Sequence, residues 1–109
     1  MSIHYANLGS LTISSGGTAS SALTAYLSDA KAITLTAPAS VTGTITVQIS
    51  VDGGTTYVDL TSGGSDVTIA AGNSVTITDP AFNALRVNSG STETDTRTFT
   101  VAKTFLVGR

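Results

Sequence analysis

Residues 42–60 read TGTITVQISVDGGTTYVDL and contain the pattern that decides the fold. Every odd position from Ile45 to Val51 is apolar, and the even positions between them are polar. Successive side chains of a β-strand point to opposite faces, so this alternation predicts a strand with one dry face and one wet face.

A β-hairpin is predicted at the end of this stretch. Its apex at Asp52 has the Asp-Gly-Gly composition that two-residue hairpin loops favour. With such a loop, even positions of the return strand face odd positions of the outgoing strand. Val58 and Leu60 are therefore expected to point inward, and Tyr57 and Asp59 outward.

The same alternation recurs along the chain, in short stretches separated by Gly, Pro and Asn turn residues. The apolar positions are Leu11 and Ile13, Ile33 and Leu35, Val67 and Ile69, Val75 and Ile77, and Phe99 and Val101. Short strands divided by turns at this spacing are typical of a β-sandwich. We predict an all-β fold, an antiparallel, jelly-roll-like β-sandwich of about eight strands, as a single domain over residues 1–109.

One pair of predicted strands does not fit a regular hairpin. A two-residue loop at Gly72 and Asn73 would place Ser74 and Thr76 opposite the inward residues of the preceding strand, 67–69. A loop with an odd number of residues, a β-bulge or a crossing between sheets is therefore expected there.

Helix is expected to be scarce. The segment DPAFNAL, residues 79–85, predicts a short helical turn capped by Asp79, with Pro80 in its first position. The segment SALTAYLSDA, residues 21–30, has no clear helical period and is compatible with helix, strand or loop. The Thr-rich segment 91–98 is expected to be an exposed loop.

Composition excludes several function classes. The 109-residue chain is only 11% charged, with five Lys and Arg against seven Asp and Glu and a formal net charge of -2. No excess positive charge can neutralise phosphates, so neither nucleic acid nor an anionic membrane is expected as a partner. Without Cys, disulfides and thiolate metal sites are impossible. The start, MSIHYANLGS, lacks signal-peptide features, so we expect no secretion by that route.

Residues that could perform catalysis are sparse. The lone His4 is expected to be exposed or structural rather than a general base. Two carboxylate pairs, Asp52 with Asp59 and Glu93 with Asp95, could suggest a glycosidase. We interpret them as solvated turn and loop groups, because aromatic residues make up only 6% of the chain and Trp is absent. No enzyme activity, cofactor or metal is expected.

The most specific short motif is SVDGGTTY at residues 50–57. It resembles the Asp-box pattern of sialidases, S-x-D-x-G-x-T-W, with Tyr57 in place of Trp. In that pattern local hydrogen bonds close a tight hairpin turn, so the resemblance implies a turn and not an enzyme. Weak calcium binding near Asp52 or Asp66 is the alternative. The structural turn is assigned to Ser50, Asp52, Gly53, Gly54, Thr56 and Tyr57.

Contacts with partner proteins are expected in the first and last segments of the sequence. The candidate contact residues are Tyr5, Phe105, Leu106 and Val107. The last three are consecutive, so a strand there would be apolar on both faces; Phe105 is assigned to the core and Leu106 to a neighbouring surface. Alternating Thr, Val and Ile also favour flat faces for subunit packing, unless those hydroxyl faces are only solvated. A homo-oligomer is expected, with a trimer as one arrangement.

A wider resemblance covers residues 30–101. The order of AITLTAP, TGTITVQISVDGGTTYVDL, SDVTIAAGNSVTITDPAFNALRV and RTFTV is similar to that of small β-sandwich virion proteins of tailed bacteriophages. The resemblance implies a non-catalytic virion protein, a head decoration or cement protein that binds capsid or tail subunits and stabilises the particle. The alternatives are a head-tail or tail accessory protein, or a carbohydrate- or receptor-binding module.

Overall fold

A computed structural model describes residues 2–25, 27 and 29–107 of the chain. These residues form ten strands: β1 (Ser2–Ile13), β2 (Ala30–Thr36), β3 (Ile45–Ser50), β4 (Val58–Asp59), β5 (Thr61–Ser62), β6 (Ser65–Asp66), β7 (Thr68–Ile69), β8 (Ser74–Thr78), β9 (Ala84–Ser89) and β10 (Arg97–Val107). No helix that could cross a membrane is found within these residues.

The strands form two main sheets. Sheet A has the order β1-β10-β2-β8, and sheet B has β3 at its centre, with β9 on one side and β4 and β7 on the other. Strands β5 and β6 form a small separate ribbon. Every pairing is antiparallel, so the predicted all-β antiparallel class is confirmed. The ten strands exceed the predicted eight because residues 58–69 divide into four two-residue strands.

The core lies between the two sheets and is built from the alternating apolar residues. Its fully buried members include Leu11, Ile33, Leu35, Phe99 and Val101 from sheet A, and Ile45, Val47, Leu85 and Val87 from sheet B. Removing a side chain of this kind from water stabilises a fold by about 1.5–3 kcal/mol. The period-two pattern therefore selects the sandwich.

The predicted irregularity between residues 67 and 77 is a crossing between sheets. Ile69 of β7 pairs with Ile45 in sheet B, whereas Val75 of β8 pairs with Leu35 in sheet A. The expectation that this segment is not a regular two-residue hairpin is confirmed.

The predicted hairpin register is also observed, but its burial differs from the prediction. Ile49 pairs with Val58, the register that a two-residue loop at the apex would give. Leu60 packs against the core. Val58 is 55% exposed and Val51 is 70% exposed, so the inward placement of Val58 is wrong. The reason is that β4 lies at an edge of sheet B, where no strand of the described residues pairs with its other side.

The predicted helical turn at residues 79–85 is also wrong. Asp79 has a φ of 48°, outside the helical region, and the backbone N–H of Asn83 donates to Ser50 O at 2.9 Å. The chain must cross here from sheet A to sheet B, and the buried Phe82 anchors the crossing in the core. In segment 21–30, Leu23 bridges Leu85 by two backbone hydrogen bonds of 2.9 Å; residues 26 and 28 of that segment lie outside the described residues.

Candidate assembly surface

The turn at residues 50–57 is held by hydrogen bonds from two side chains. Ser50 Oγ donates to Asp52 Oδ1 at 2.6 Å and accepts from the Gly54 amide at 3.0 Å. Asp52 Oδ1 also accepts from the amides of Thr55 and Thr56, at 3.2 and 2.9 Å. The Ser50 hydroxyl, and after it the Thr56 amide, lower the pKa of Asp52. Gly53 and Gly54 have φ of 77° and 98°, a region that glycine adopts without steric cost.

Tyr57 packs beside this turn rather than lining a cleft. Its hydroxyl is buried and makes no hydrogen bond to the described residues. The guanidinium carbon of Arg86 lies 4.1 Å from the ring centroid. Arg86 Nε donates to Gln48 Oε1 at 2.8 Å, and Gln48 Nε2 donates to Asp59 Oδ1 at 2.9 Å. The turn and its neighbours thus form a structural cluster without a convergent pair of carboxylates.

Glu93 occupies an unexpected place. Its side chain is 0% exposed, so the interpretation of this carboxylate as a solvated loop group is wrong. The carboxylate accepts hydrogen bonds from the amides of Thr42 (2.8 Å) and Gly43 (2.9 Å), from Ser89 Oγ (2.6 Å) and from Arg97 Nε (2.9 Å). No local sequence pattern indicates this burial, because the hydrogen-bond partners of Glu93 lie in three separate segments.

Electrostatics confirm that Glu93 is held as an anion. Burial by itself raises its pKa, but the hydrogen bonds from Ser89, Gly43, Arg97 and Thr42 outweigh that effect and lower the pKa from 4.5 to about 2. Its backbone also joins a fourth segment, since the Gly16 amide donates to Glu93 O at 2.8 Å. We call Glu93 with these side-chain and amide donors the Glu93 clamp.

The remaining ionisable candidates are scattered. His4 lies in β1 with its ring centroid 5.7 Å from that of Phe105, on a paired strand rather than a frayed end. Asp95 is largely exposed and 4.0 Å from Arg97, and Asp66 is exposed in β6. Within the described part of the chain, no group of three or more His, Cys, Asp or Glu side chains could hold a metal ion.

The predicted contact residues meet on one two-stranded ribbon. Residues 2–7 of β1 pair with residues 102–107 of β10, and we call this part of sheet A the β1–β10 ribbon. On it Tyr5 is 81% exposed, Leu106 41% and Val107 39%. Phe105 is half-buried beside His4 and lies outside the core cluster, so its assignment to the core is wrong. Sequence reasoning missed Ile3, which pairs directly with Leu106 and is 61% exposed. The signal in the sequence that indicates Ile3 is its position two residues before Tyr5, which places both side chains on the same face of a strand.

The ribbon continues into an uncharged surface. Cross-strand pairing places the following residues on the side of sheet A that faces away from the core: Ile3, Tyr5, Asn7, Ser10 and Thr12; Thr98, Thr100, Ala102, Thr104 and Leu106; Ala32, Thr34 and Thr36; Ser74, Thr76 and Thr78. We call this surface the outer face. None of these residues is charged, whereas the opposite side of the ribbon carries Lys103, paired with Asp29.

Two concavities accompany these elements. A shallow depression of about 280 Å³ lies on the outer face, next to Tyr5 and over Thr34, Thr100 and Ala102. A larger groove of about 500 Å³ lies between the sheets beside β8, with Leu60, Ile77 and Phe82 among its lining residues. Asp79 is the titratable residue among those that line this groove, and it pairs with Lys31 at 3.3 Å. Neither concavity contains a nucleophile and base in contact.

Comparisons with known proteins show the fold alone. No protein-family model matches the chain, and no curated protein matches it. One solved structure matches with a TM-score of 0.57 and 16% sequence identity. The alignment covers 98% of this chain and 90% of the chain in that structure. That structure comes from work on Bacillus endospore appendages, which are described as a novel family of disulfide-linked pili.

This comparison corrects the function expected from the sequence. The expectation of a phage head decoration or cement protein, with its head-tail, tail accessory and carbohydrate- or receptor-binding alternatives, is wrong, because a solved structure with this fold is described among bacterial pili. The expectation depended on an order of Thr-rich strands that many β-sandwiches can use. The similarity to tailed-phage virion proteins and a location in the virion stay untested predictions.

Proposed function

We propose that the chain is a non-catalytic structural subunit that self-assembles through the β1–β10 ribbon. The observation that carries this proposal is the exposure of Ile3, Tyr5 and Leu106 on one side of that ribbon, with Val107 exposed on its other side. Clustered exposed apolar side chains on a small domain mark an interaction surface. The scarcity of charge lowers the desolvation cost of burying such a surface against another subunit.

The edge of the ribbon supports the same proposal. β1 is an edge strand of sheet A, and alternate residues of an edge strand direct their N–H and C=O groups away from the sheet. At Thr12 these groups are used within the chain, since Thr12 O accepts from the Ser21 amide at 3.0 Å and the Thr12 amide donates to Ser21 Oγ at 3.1 Å. Along residues 2–7 no described strand covers this edge, so a strand of another subunit can pair there.

The pilus structure supports a structural role by fold, with one chemical difference. Its subunits are described as disulfide-linked, whereas this chain has no Cys. An assembly of this chain would therefore be held without disulfides. We expect its extent to depend on protein concentration and not on reducing agent.

Replacing Leu106 by Asp tests the proposal. Leu106→Asp places a charge on the exposed apolar ribbon, so we expect self-association to weaken at least about tenfold. The melting temperature of the isolated subunit should change little, because Leu106 is 41% exposed and lies outside the buried core. Light scattering across a concentration series, with thermal unfolding of the dilute protein, measures both quantities.

Val58→Asp is the matched control, since Val58 is also an exposed strand residue but lies on the edge of sheet B. It should leave association unchanged. A native chain that stays monomeric up to millimolar concentration would refute the proposed function. So would a Leu106→Asp variant that associates like the native chain.

A further inference from the structure

We infer that two copies of this chain pair face to face through the outer face, with Tyr5 of each copy seated in the depression on the other. The inference rests on the proposed function and names the surface and the partner. The occupant of the outer face is a second copy of the same chain.

The first argument is the shape of the outer face. Tyr5 is 81% exposed and lines one wall of the depression of about 280 Å³ on the same surface. Ala102 lines this depression between its two cross-strand partners, Asn7 on β1 and Thr34 on β2, and its small side chain leaves the space above the sheet open. A projecting ring and a recess of this kind, adjacent on one surface, are complementary to themselves after a two-fold rotation.

The second argument is charge. Pairing two identical surfaces brings every charge near its own copy, and like charges opposite one another oppose association. The outer face carries no charged residue, so self-pairing meets no such repulsion. Its hydroxyls can remain hydrogen-bonded when water is removed, as Thr34 Oγ1 and Thr76 Oγ1 already are, at 2.8 Å from each other.

The third argument is area. β10 has 11 residues, which at about 3.3 Å per residue extend over about 36 Å, and four strands spaced by about 4.8 Å form the sheet. The outer face thus presents on the order of 500 Å² per copy, and two copies would bury about 1,000 Å², the lower limit for a specific interface. Ile3, Tyr5 and Leu106 supply the apolar part of that surface.

Disulfide trapping between two cysteine variants tests the pairing, because the chain has no Cys of its own. Tyr5→Cys protein is mixed with Thr34→Cys protein and oxidised. Each variant chain carries a single Cys, so no bridge can form within one chain. We expect a disulfide between the two chains, and at least about tenfold less of it when Thr68→Cys, an exposed strand position in sheet B, replaces Thr34→Cys.

Thr34→Arg provides a second measurement. A guanidinium at this position would fill the depression that receives Tyr5 of the other copy, so the association constant should fall about 100-fold. Thr68→Arg is the control, with association unchanged. Sedimentation of each variant reports the association constant, and thermal unfolding verifies that the variant is folded.

The outcomes separate the inference from the proposed function. The native chain could oligomerise while the Tyr5→Cys and Thr34→Cys chains form no more bridges than the control pair. That result overturns the face-to-face pairing and leaves self-assembly standing. A native chain that is monomeric at all concentrations overturns both. The chain could also be monomeric alone but bind a different protein, with that binding lost in Thr34→Arg. This result would show that the outer face binds a different protein, and it also overturns the inference.

Discussion

Replacing Glu93 by Gln is expected to lower the free energy of unfolding by roughly 3 kcal/mol, because it removes one member of a buried ion pair. Glu93 is the acceptor for Thr42, Gly43, Ser89 and Arg97, and its side chain is 0% exposed. A neutral amide offers a single acceptor oxygen and leaves the Arg97 guanidinium without its anion. Chemical denaturation at neutral pH, followed by circular dichroism, measures the loss.

Asp95→Asn is the control for this variant. Asp95 lies two residues along the chain, is largely exposed and is 4.0 Å from the same guanidinium. The loss of an exposed ion pair costs at most about 1 kcal/mol. If Glu93→Gln destabilised the chain no more than Asp95→Asn does, the Glu93 clamp would not hold the fold together.

The pH dependence of the same variant gives an independent readout. Glu93 has a folded pKa of about 2, below its ordinary value of 4.5, so protons bind more tightly to the unfolded chain. Its stabilising contribution is complete above pH 4.5 and is lost as the pH falls from 4.5 toward 2. The difference in stability between the native chain and Glu93→Gln should therefore shrink over that interval.

Replacing Gly43 by Ala is expected to cost about 3 kcal/mol by steric overlap in the same clamp. A Cβ atom at Gly43 would lie 2.6 Å from the Ser91 amide nitrogen and closer still to the Ser89 hydroxyl. The Ser91 nitrogen is backbone and cannot rotate aside. Either the loop moves or the amide of Gly43 loses its hydrogen bond to Glu93.

Gly90→Ala is the matched control, because Gly90 also has no left-handed φ and its added Cβ would come no closer than 3.7 Å to the Thr44 carbonyl oxygen. We expect Gly90→Ala to change stability by less than about 1 kcal/mol. Thermal unfolding of both variants decides between them. Equal melting temperatures for Gly43→Ala and the native chain would show that a Cβ atom fits at position 43 without overlap.

The sequence predicted the fold where burial follows local alternation. Phe99 and Val101 of β10 are buried and alternate with exposed Thr98 and Thr100, as the Thr-Phe-Thr-Val pattern indicates. Prediction failed where burial depends on distant segments. Val58 has the right residue type and register but lies on an edge strand, and the burial of Glu93 depends on amides about fifty residues away in sequence.

The candidate surface was predicted in part for a similar reason. Their place in the first and last segments, and the consecutive apolar residues 105–107, predict Tyr5, Leu106 and Val107 as contact residues, and these three lie on one ribbon. Which of them share a face depends on the β1–β10 register, including the irregularity between Asn7 and Gly9. That register is set by long-range pairing and cannot be read from either segment alone.

The most direct measurement of the proposed assembly is a dilution series of methyl NMR spectra of the native chain. The outer face contributes the methyl groups of Ile3, Thr34 and Thr100, and Thr44 and Thr68 lie elsewhere on the described surface. We predict that the first three signals shift with concentration while the last two stay fixed. Signals that do not move at any concentration, or that move only at Thr44 and Thr68, would contradict self-assembly through the outer face.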